Sequence, residues 1–275
     1  MDKIRRNERM SAMIKILSDS PNHIFTLSYF CELFGAAKST ISEDIDLLRD
    51  TLSHYGLGEL ETITGASGGV VFRNRVSRSA AYECISDISK TLSDPSRVLP
   101  GGFLYYSDIL SDPVLTRKMG SILATVYQEI HPDFVLTMET KGIPVALTTA
   151  ESLGVPLVIA RHSSKFYEGS AVNINYVSGS SGSIQTMSLA RRAVHSGGRC
   201  LIVDDFLKGG GTAKGMIDLM REFEVEVAGL AFVMATVTPS RRRISGEKSL
   251  MTMEVIHQDD DLPSLTVHPS DWLKP

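Results

Sequence analysis

Two neighbouring acids, Asp204 and Asp205, precede a glycine-rich turn in the stretch RCLIVDDFLKGGGTAKG, Arg199 to Gly215. Ionised carboxylates accept hydrogen bonds, and the vicinal hydroxyls of a sugar donate them. The turn Lys208-Gly209-Gly210-Gly211-Thr212 offers the opposite chemistry. Glycines let successive backbone N–H groups converge on one anion, and a helix beginning there adds its positive end. Lys208 supplies a point charge and Thr212 a hydroxyl donor, with Phe206 and Leu207 between the acids and the turn. The acids cannot also face the phosphate without repulsion, so they are better used on the diol. Diol on one side and phosphate on the other describes a ribose phosphate.

The flanking elements must hold these groups. Cys200 to Val203 is an apolar run short enough to be a buried parallel strand. Met216, Leu219, Met220 and Phe223 recur at helical spacing after the turn. Ligands of open α/β sheets bind beyond the carboxyl ends of such strands. A tight strand–helix turn with merely solvated acids is the plainer alternative. A dinucleotide loop fits less well, because its glycines precede its acid by roughly twenty residues. The stretch resembles the phosphoribosyl diphosphate (PRPP) motif of type I phosphoribosyltransferases.

The whole chain has 275 residues, 43% of them hydrophobic, and its mean hydropathy is +0.02. That length suggests two domains, and the composition suffices for a packed core. A net charge of −4 excludes a generally basic nucleic-acid coat, so any such binding is local. Cys31, Cys84 and Cys200 stand too far apart for a metal, redox or disulfide framework, which predicts a cytoplasmic protein. The scattered histidines propose no metal site. No signal peptide or membrane span is expected, since no long apolar run follows the charged MDKIRRNERM.

Residues 1–75 read as a small domain and 76–275 as a larger one. Ile4, Met10, Met13, Ile14 and Leu17 predict a first helix, whose opening carries Arg5, Arg6 and Arg9. A second helix runs from Leu27 to Phe34, and a third from Lys38 with Ile41, Ile45, Leu48 and Leu52 as its core stripe. Two runs around a Gly-Ala-Ser-Gly-Gly turn, Leu60–Thr64 and Val70–Arg73, predict a hairpin, completing a winged helix. Lys38, Ser39, Thr40 and Ser42 would meet base edges or phosphates, with Arg5, Arg6, Arg9 and Arg73 as further phosphate contacts. Glu43, Asp44, Asp46 and Asp50 would repel phosphate wherever they faced it, so a small interaction or dimerisation module stays open as an alternative.

Ser77–Leu92 predicts a helix striped by Ala80, Cys84, Ile88 and Leu92 that packs between the domains. Tyr105 and Tyr106 follow in a turn-rich region, and either could lie over the ribose pocket. From Phe134 strand and helix signals alternate, which predicts a parallel sheet. Thr140, Lys141 and Gly142 follow the strand Phe134–Met138, and Arg161 and Lys165 follow the strand Pro156–Ala160. Cations beside backbone donors suit a diphosphate. Gly169 to Met187 reads as a loop, flexible at its Ser-Gly-Ser-Ser-Gly centre, that carries no Lys, Arg, Asp or Glu. A transferase that expels diphosphate gains from a cation or an acid there, so this loop leans against catalysis. Val225–Val237 predicts a further strand, and the acidic, Pro-containing end reads as a loose tail.

AAKSTISED, GASGGV, LPGG, TKGIP, INYVSGSS, IQTMSLA and VDDFLKGGGT occur in this order. On these stretches the chain resembles the purine operon repressor family of Gram-positive bacteria over roughly Arg5 to Val237. The resemblance implies an α/β phosphoribosyltransferase-like open, mostly parallel sheet with a smaller amino-terminal winged helix. It implies a homodimeric, DNA-binding repressor of purine biosynthesis genes, with double-stranded DNA as partner and no membrane. PRPP, with or without Mg2+, would be the effector that relieves repression, and no cofactor would be required. On matching positions, Asp204 and Asp205 would hold the ribose hydroxyls, beside Phe206. Lys208, Gly209, Gly210, Gly211 and Thr212 would hold the terminal phosphate. Thr140, Lys141, Gly142, Arg161, Lys165, Ser178, Gly179 and Ser180 would take the diphosphate, and Tyr105 would flank the pocket. Glu139, where the family usually has a small residue, and His162, in place of a usual cation, leave room for a competing phosphorylated nucleotide. An active purine or xanthine phosphoribosyltransferase is the second reading, and a regulator of RNA or protein partners the third.

Overall fold

The computed structural model describes residues 4–65, 68–164, 169–178, 182–256 and 264–275. The chain divides into two compact units, Met1–Ser77 with Glu151–Gly154, and Arg78–Ala150 with Val155–Pro275.

The first unit contains α1 (Arg6–Asp19), α2 (Leu27–Phe34), α3 (Lys38–Tyr55) and a hairpin of β1 (Glu59–Ile63) and β2 (Gly69–Arg73). The Thr26 hydroxyl accepts the Tyr29 N–H at 3.2 Å and so caps α2, satisfying a donor that the helix itself cannot. The helical repeat of Ile41, Ile45, Leu48 and Leu52 buries one face of α3. That face joins Met13 and Leu17 of α1, Phe30 of α2, and Leu60 and Phe72, which pair across the hairpin, in one core. The core matches the sequence expectation; Ala66 and Ser67 at the hairpin turn lie outside the described residues.

In the second unit α4 (Arg78–Leu92) precedes a small hairpin of β3 (Val98–Leu99) and β4 (Phe103–Leu104), then α5 (Ser107–Ser111) and α6 (Pro113–Tyr127). Next come β5 (Phe134–Met138), α7 (Ile143–Leu153), β6 (Leu157–Ala160), β7 (Ala171–Val177), β8 (Ile184–Ala190) and β9 (Arg199–Leu207). Then α8 (Gly211–Glu222), β10 (Glu226–Thr236), β11 (Lys248–Ile256) and β12 (Ser264–Pro269) follow. Six strands form one sheet in the order β12-β11-β10-β9-β5-β6. Every neighbouring pair is parallel except β11 with β12. The apolar run Cys200–Val203 is fully buried in β9, between β10 and β5, as a parallel strand covered on both faces must be.

Three expectations are corrected. The buried stripe of α4 is Ala81, Ile85, Ile88 and Leu92, turned from the one read in sequence, and it packs against β12 and α6 within the second unit. The Gly169–Met187 segment is mostly an antiparallel hairpin, β7 with β8, in which Val172 opposes Leu189 and Ile174 opposes Met187. The carboxyl-terminal end is not loose from Ser264 onward. Leu265 and Val267 alternate into the core along β12, and the Trp272 indole donates to the Ser249 carbonyl at 2.7 Å. The acidic run Gln258–Asp261 lies outside the described residues. Among the described residues no helix is long and apolar enough to cross a membrane, and no three His, Cys, Asp or Glu side chains gather to hold a metal ion.

Candidate functional site

β9 extends farther than its apolar run and carries both acids within the strand. Asp204 is 7% exposed, and its Oδ1 accepts the Asp205 N–H at 3.0 Å. Asp205 accepts the Tyr106 hydroxyl through Oδ2 at 2.7 Å. Among the described residues neither carboxylate has a cation within ion-pair distance. Burial first and the neighbouring Asp205 charge second push the Asp204 carboxyl well above the usual carboxylate range. Burial, then the Asp205 charge, also raises the Tyr106 hydroxyl, so it stays a protonated donor. Burial raises the Tyr176 hydroxyl, opposed by a hydrogen bond with Thr212.

The glycine turn follows directly. Gly210 adopts φ +76°, a left-handed conformation that side chains rarely take, and it caps α8. A Cβ there would stand 3.1 Å from Ile244 Cγ1, while the Arg243 N–H donates to the Gly209 carbonyl at 3.2 Å. The turn is thus braced from behind by 243–244. α8 is anchored by buried Met216, Leu219 and Met220, and Gly215 sits against Tyr176 of β7, where a Cβ would stand 3.0 Å from the ring. The first-turn amides of α8 and its dipole converge at this end, which favours an anion.

Acids and turn line one cavity of about 380 Å³. Of the residues singled out from sequence, Thr140, Lys141, Ser178, Asp204, Asp205, Phe206, Lys208, Gly209, Gly210, Gly211 and Thr212 all line it. Gly142 is packed against Asp204: a methyl group there would collide with Asp204 Oδ1. Lys165, Gly179 and Ser180 lie outside the described residues.

Two residues stand elsewhere. Arg161 lines a different recess with Leu189 and Arg192, and its guanidinium is 3.5 Å from the Glu139 carboxylate. Glu139 also accepts the His162 N–H at 2.7 Å, so the acid beside Thr140 is already engaged. Tyr105 is 45% exposed and does not line the cavity; its neighbour Tyr106 does. Leu104 is buried, and alternation along an extended chain turns Tyr106 to the same side. That signal was available in sequence. The Tyr106 ring stacks on Phe206 at 6.1 Å, and Lys141 Nζ lies 4.6 Å from its centroid, a cation–π geometry. Glu139 and His162, noted in sequence as departures from the family, line the cavity as well, and Tyr176 and Gln185 line it without having been anticipated.

In the first unit Lys38, Ser39 and Ser42 are exposed, and Thr40 partly so, in the opening turns of α3. Arg5 is exposed as well. Arg6 is half exposed and pairs with Asp44 at 2.9 Å and Glu43 at 3.7 Å. Arg9 corrects the sequence reading. It is 7% exposed and ion-paired with Asp44, itself wholly buried, so its charge balances an interior acid and does not reach solvent. Arg73 is likewise committed, to Glu61 and to the Asn22 side-chain oxygen at 2.9 Å. Asp44 faces inward, whereas Asp46 stays exposed one turn after Ser42 and pairs with Arg49.

A family model described as bacterial purine repressor, N-terminal, matches residues 5–74, and one described as phosphoribosyl transferase domain matches residues 106–263. The chain is 41% identical over 272 residues to the purine biosynthesis transcriptional repressor PurR of Bacillus subtilis (strain 168), covering 99% of this chain and 95% of that protein. It is 39% identical over 253 residues to the purine biosynthesis transcriptional activator PurR of Lactococcus lactis subsp. lactis (strain IL1403), covering 92% and 93%. The crystal structure of adenine phosphoribosyltransferase from Thermoanaerobacter pseudethanolicus superposes with a TM-score of 0.52 at 22% identity, covering 60% of this chain and 96% of that one. At that identity the likeness establishes the fold, a phosphoribosyltransferase-like sheet, and nothing of activity.

Proposed function

We propose that this chain, which belongs to the bacterial purine repressor family, is a DNA-binding transcriptional regulator of purine biosynthesis genes with PRPP as its effector. One observation carries the effector: the Asp204–Asp205 pair and the Lys208–Thr212 turn open onto a single cavity. The acids accept the ribose hydroxyls, and the turn amides, Lys208 and Thr212 take the 5′-phosphate. Thr140 and Lys141, on the cavity wall, face the diphosphate, with the Ser178 region beside them. The two carboxylates are hard oxygen donors of the kind Mg2+ takes, so PRPP can arrive with the ion.

The first unit meets double-stranded DNA through Lys38, Ser39, Thr40 and Ser42 at the start of α3, with Arg5 beside phosphate. Relatives similar over nearly the whole chain are named as repressor and as activator, so family membership alone does not set the sign of regulation. The protein acts as a homodimer in the cytoplasm. It does not transfer the phosphoribosyl group, because the hairpin of β7 and β8 brings no cation or acid to protonate or neutralise the departing diphosphate.

A gel-shift titration on DNA upstream of purine biosynthesis genes tests the regulator, run with and without PRPP. PRPP-dependent change in DNA affinity is expected, and its absence overturns the effector. Incubation with PRPP, Mg2+ and each purine base tests the rest. Diphosphate release above background would restore the transferase reading.

A further inference from the structure

The interior wall behind Asp204 holds a hydroxyl with nothing to bond. Thr137 lies in β5, is fully buried, and its Oγ1 has no hydrogen-bond partner. A strand buried on both faces favours Val at such a place, since an unpaired buried hydroxyl costs free energy that a methyl does not. The position has one further property. A Cβ at Gly142 would stand 2.7 Å from Thr137 Oγ1 and collide with Asp204 Oδ1. One small gap, open because residue 142 has no side chain, therefore borders both the orphan hydroxyl and the carboxylate. Thr137 is paired with Ile159 of β6 and Asp204 with Phe232 of β10, so both sides of the gap are held within the sheet.

We propose that Thr137 is a positioning residue for Asp204: its hydroxyl donates across the gap beside Gly142 to the ionised Asp204 carboxylate, the form that grips the sugar hydroxyls. A carboxylate accepting from a sugar diol must be ionised, and in this pocket ionisation is opposed by burial and by Asp205. The other titratable groups around it are Tyr106, Tyr176 of β7, and Glu139, Lys141, His162 and Lys208 along the same cavity. None of these stands behind the carboxylate at the Gly142 gap. Thr137 supplies a donor there, on the face away from ligand, and leaves the outward lone pairs for the sugar. The hydroxyl donates once the Asp204 carboxylate is ionised, with ligand or without it.

This inference rests on the PRPP reading, so its test has one readout with ligand and one without. Thr137→Val removes the hydroxyl at nearly constant volume, and Thr137→Ser keeps it. Calorimetric titration of the full-length protein with PRPP across pH is expected to show Thr137→Val about tenfold weaker at neutral pH, with its binding profile displaced to higher pH. Thr137→Ser should follow wild type, and Thr137→Val should add nothing in an Asp204→Asn background. Without ligand, the Asp204 carboxyl band in infrared difference spectra against Asp204→Asn should titrate at higher pH in Thr137→Val than in wild type. Affinity within twofold of wild type, or a loss with unmoved pH profile and unmoved carboxyl titration, overturns the positioning role. If wild-type protein binds no PRPP, the effector reading fails, and the ligand-free titration alone then decides whether Thr137 serves Asp204.

Discussion

The two units treat charge in opposite ways. In the first, arginines read as free for phosphate are paired with acids: Arg9 and Arg6 with Asp44, and Arg73 with Glu61. In the second, two carboxylates stand side by side with no cation within ion-pair distance among the described residues. Paired charges hold an interior together, and removing one partner strands the other. Like charges left adjacent and partly buried weaken the empty fold, and such strain collects where a ligand is meant to relieve it. Charge balance thus separates a scaffold from a receptor. Composition alone shows neither, since both patterns use the same residue types.

The contrast can be broken hardest at Asp44. Asp44→Ala leaves Arg9 buried without a counter-charge and should lower the stability of the first unit by about 3–5 kcal/mol, read by denaturant unfolding. Asp204→Asn should do the reverse in the second unit. It removes a buried charge and should raise the ligand-free melting temperature at neutral pH, by about 2–4 °C for each kcal/mol relieved. The same variant should bind PRPP roughly ten- to a hundredfold more weakly, by calorimetry.

pH sharpens the point. The Asp204 carboxyl is raised in the fold, so its contribution to ligand-free stability is present below the ordinary carboxylate value and lost as pH rises through the raised one. PRPP affinity should move the other way, tightening over that interval as the proton leaves. A melting curve and a binding isotherm at each pH check both signs, and Asp204→Asn should flatten both. Tyr106→Phe comes next in size. It frees Asp205 from the Tyr106 hydroxyl, and PRPP binding should strengthen several-fold. Arg5→Ala should change least. Stability should stay the same, while DNA binding weakens and its slope against log salt falls by about one.

Local spacing made the winged unit's core legible. Ile41, Ile45, Leu48 and Leu52 needed only a helical period, and α2 followed from Leu27 to Phe34 as read. The acid pair and glycine turn were legible for a similar reason, because strand, acids, turn and helix are consecutive. Arg9 was misread because its partner lies 35 residues away, and no short window pairs them. Arg161 was misplaced because Glu139, at the end of another strand, draws it aside. β12 was hidden by the Pro-rich, acidic stretch before it, although Leu265 and Val267 carry a period-two signal. Tyr106 was half legible: the right pair of tyrosines was named, and one step of alternation decides between them.

That both acids belong to β9 itself has a consequence for signalling. The strand is laced to β10 as far as Leu207 and to β5 through Ile202, so the acids are held to the sheet from the β10 side. Changes on occupancy are then to be sought in the described walls, at Tyr106, Lys141 and Ser178. If the pocket takes the proposed effector, its signal would pass outward through this rim, with the β9 acids held by β10.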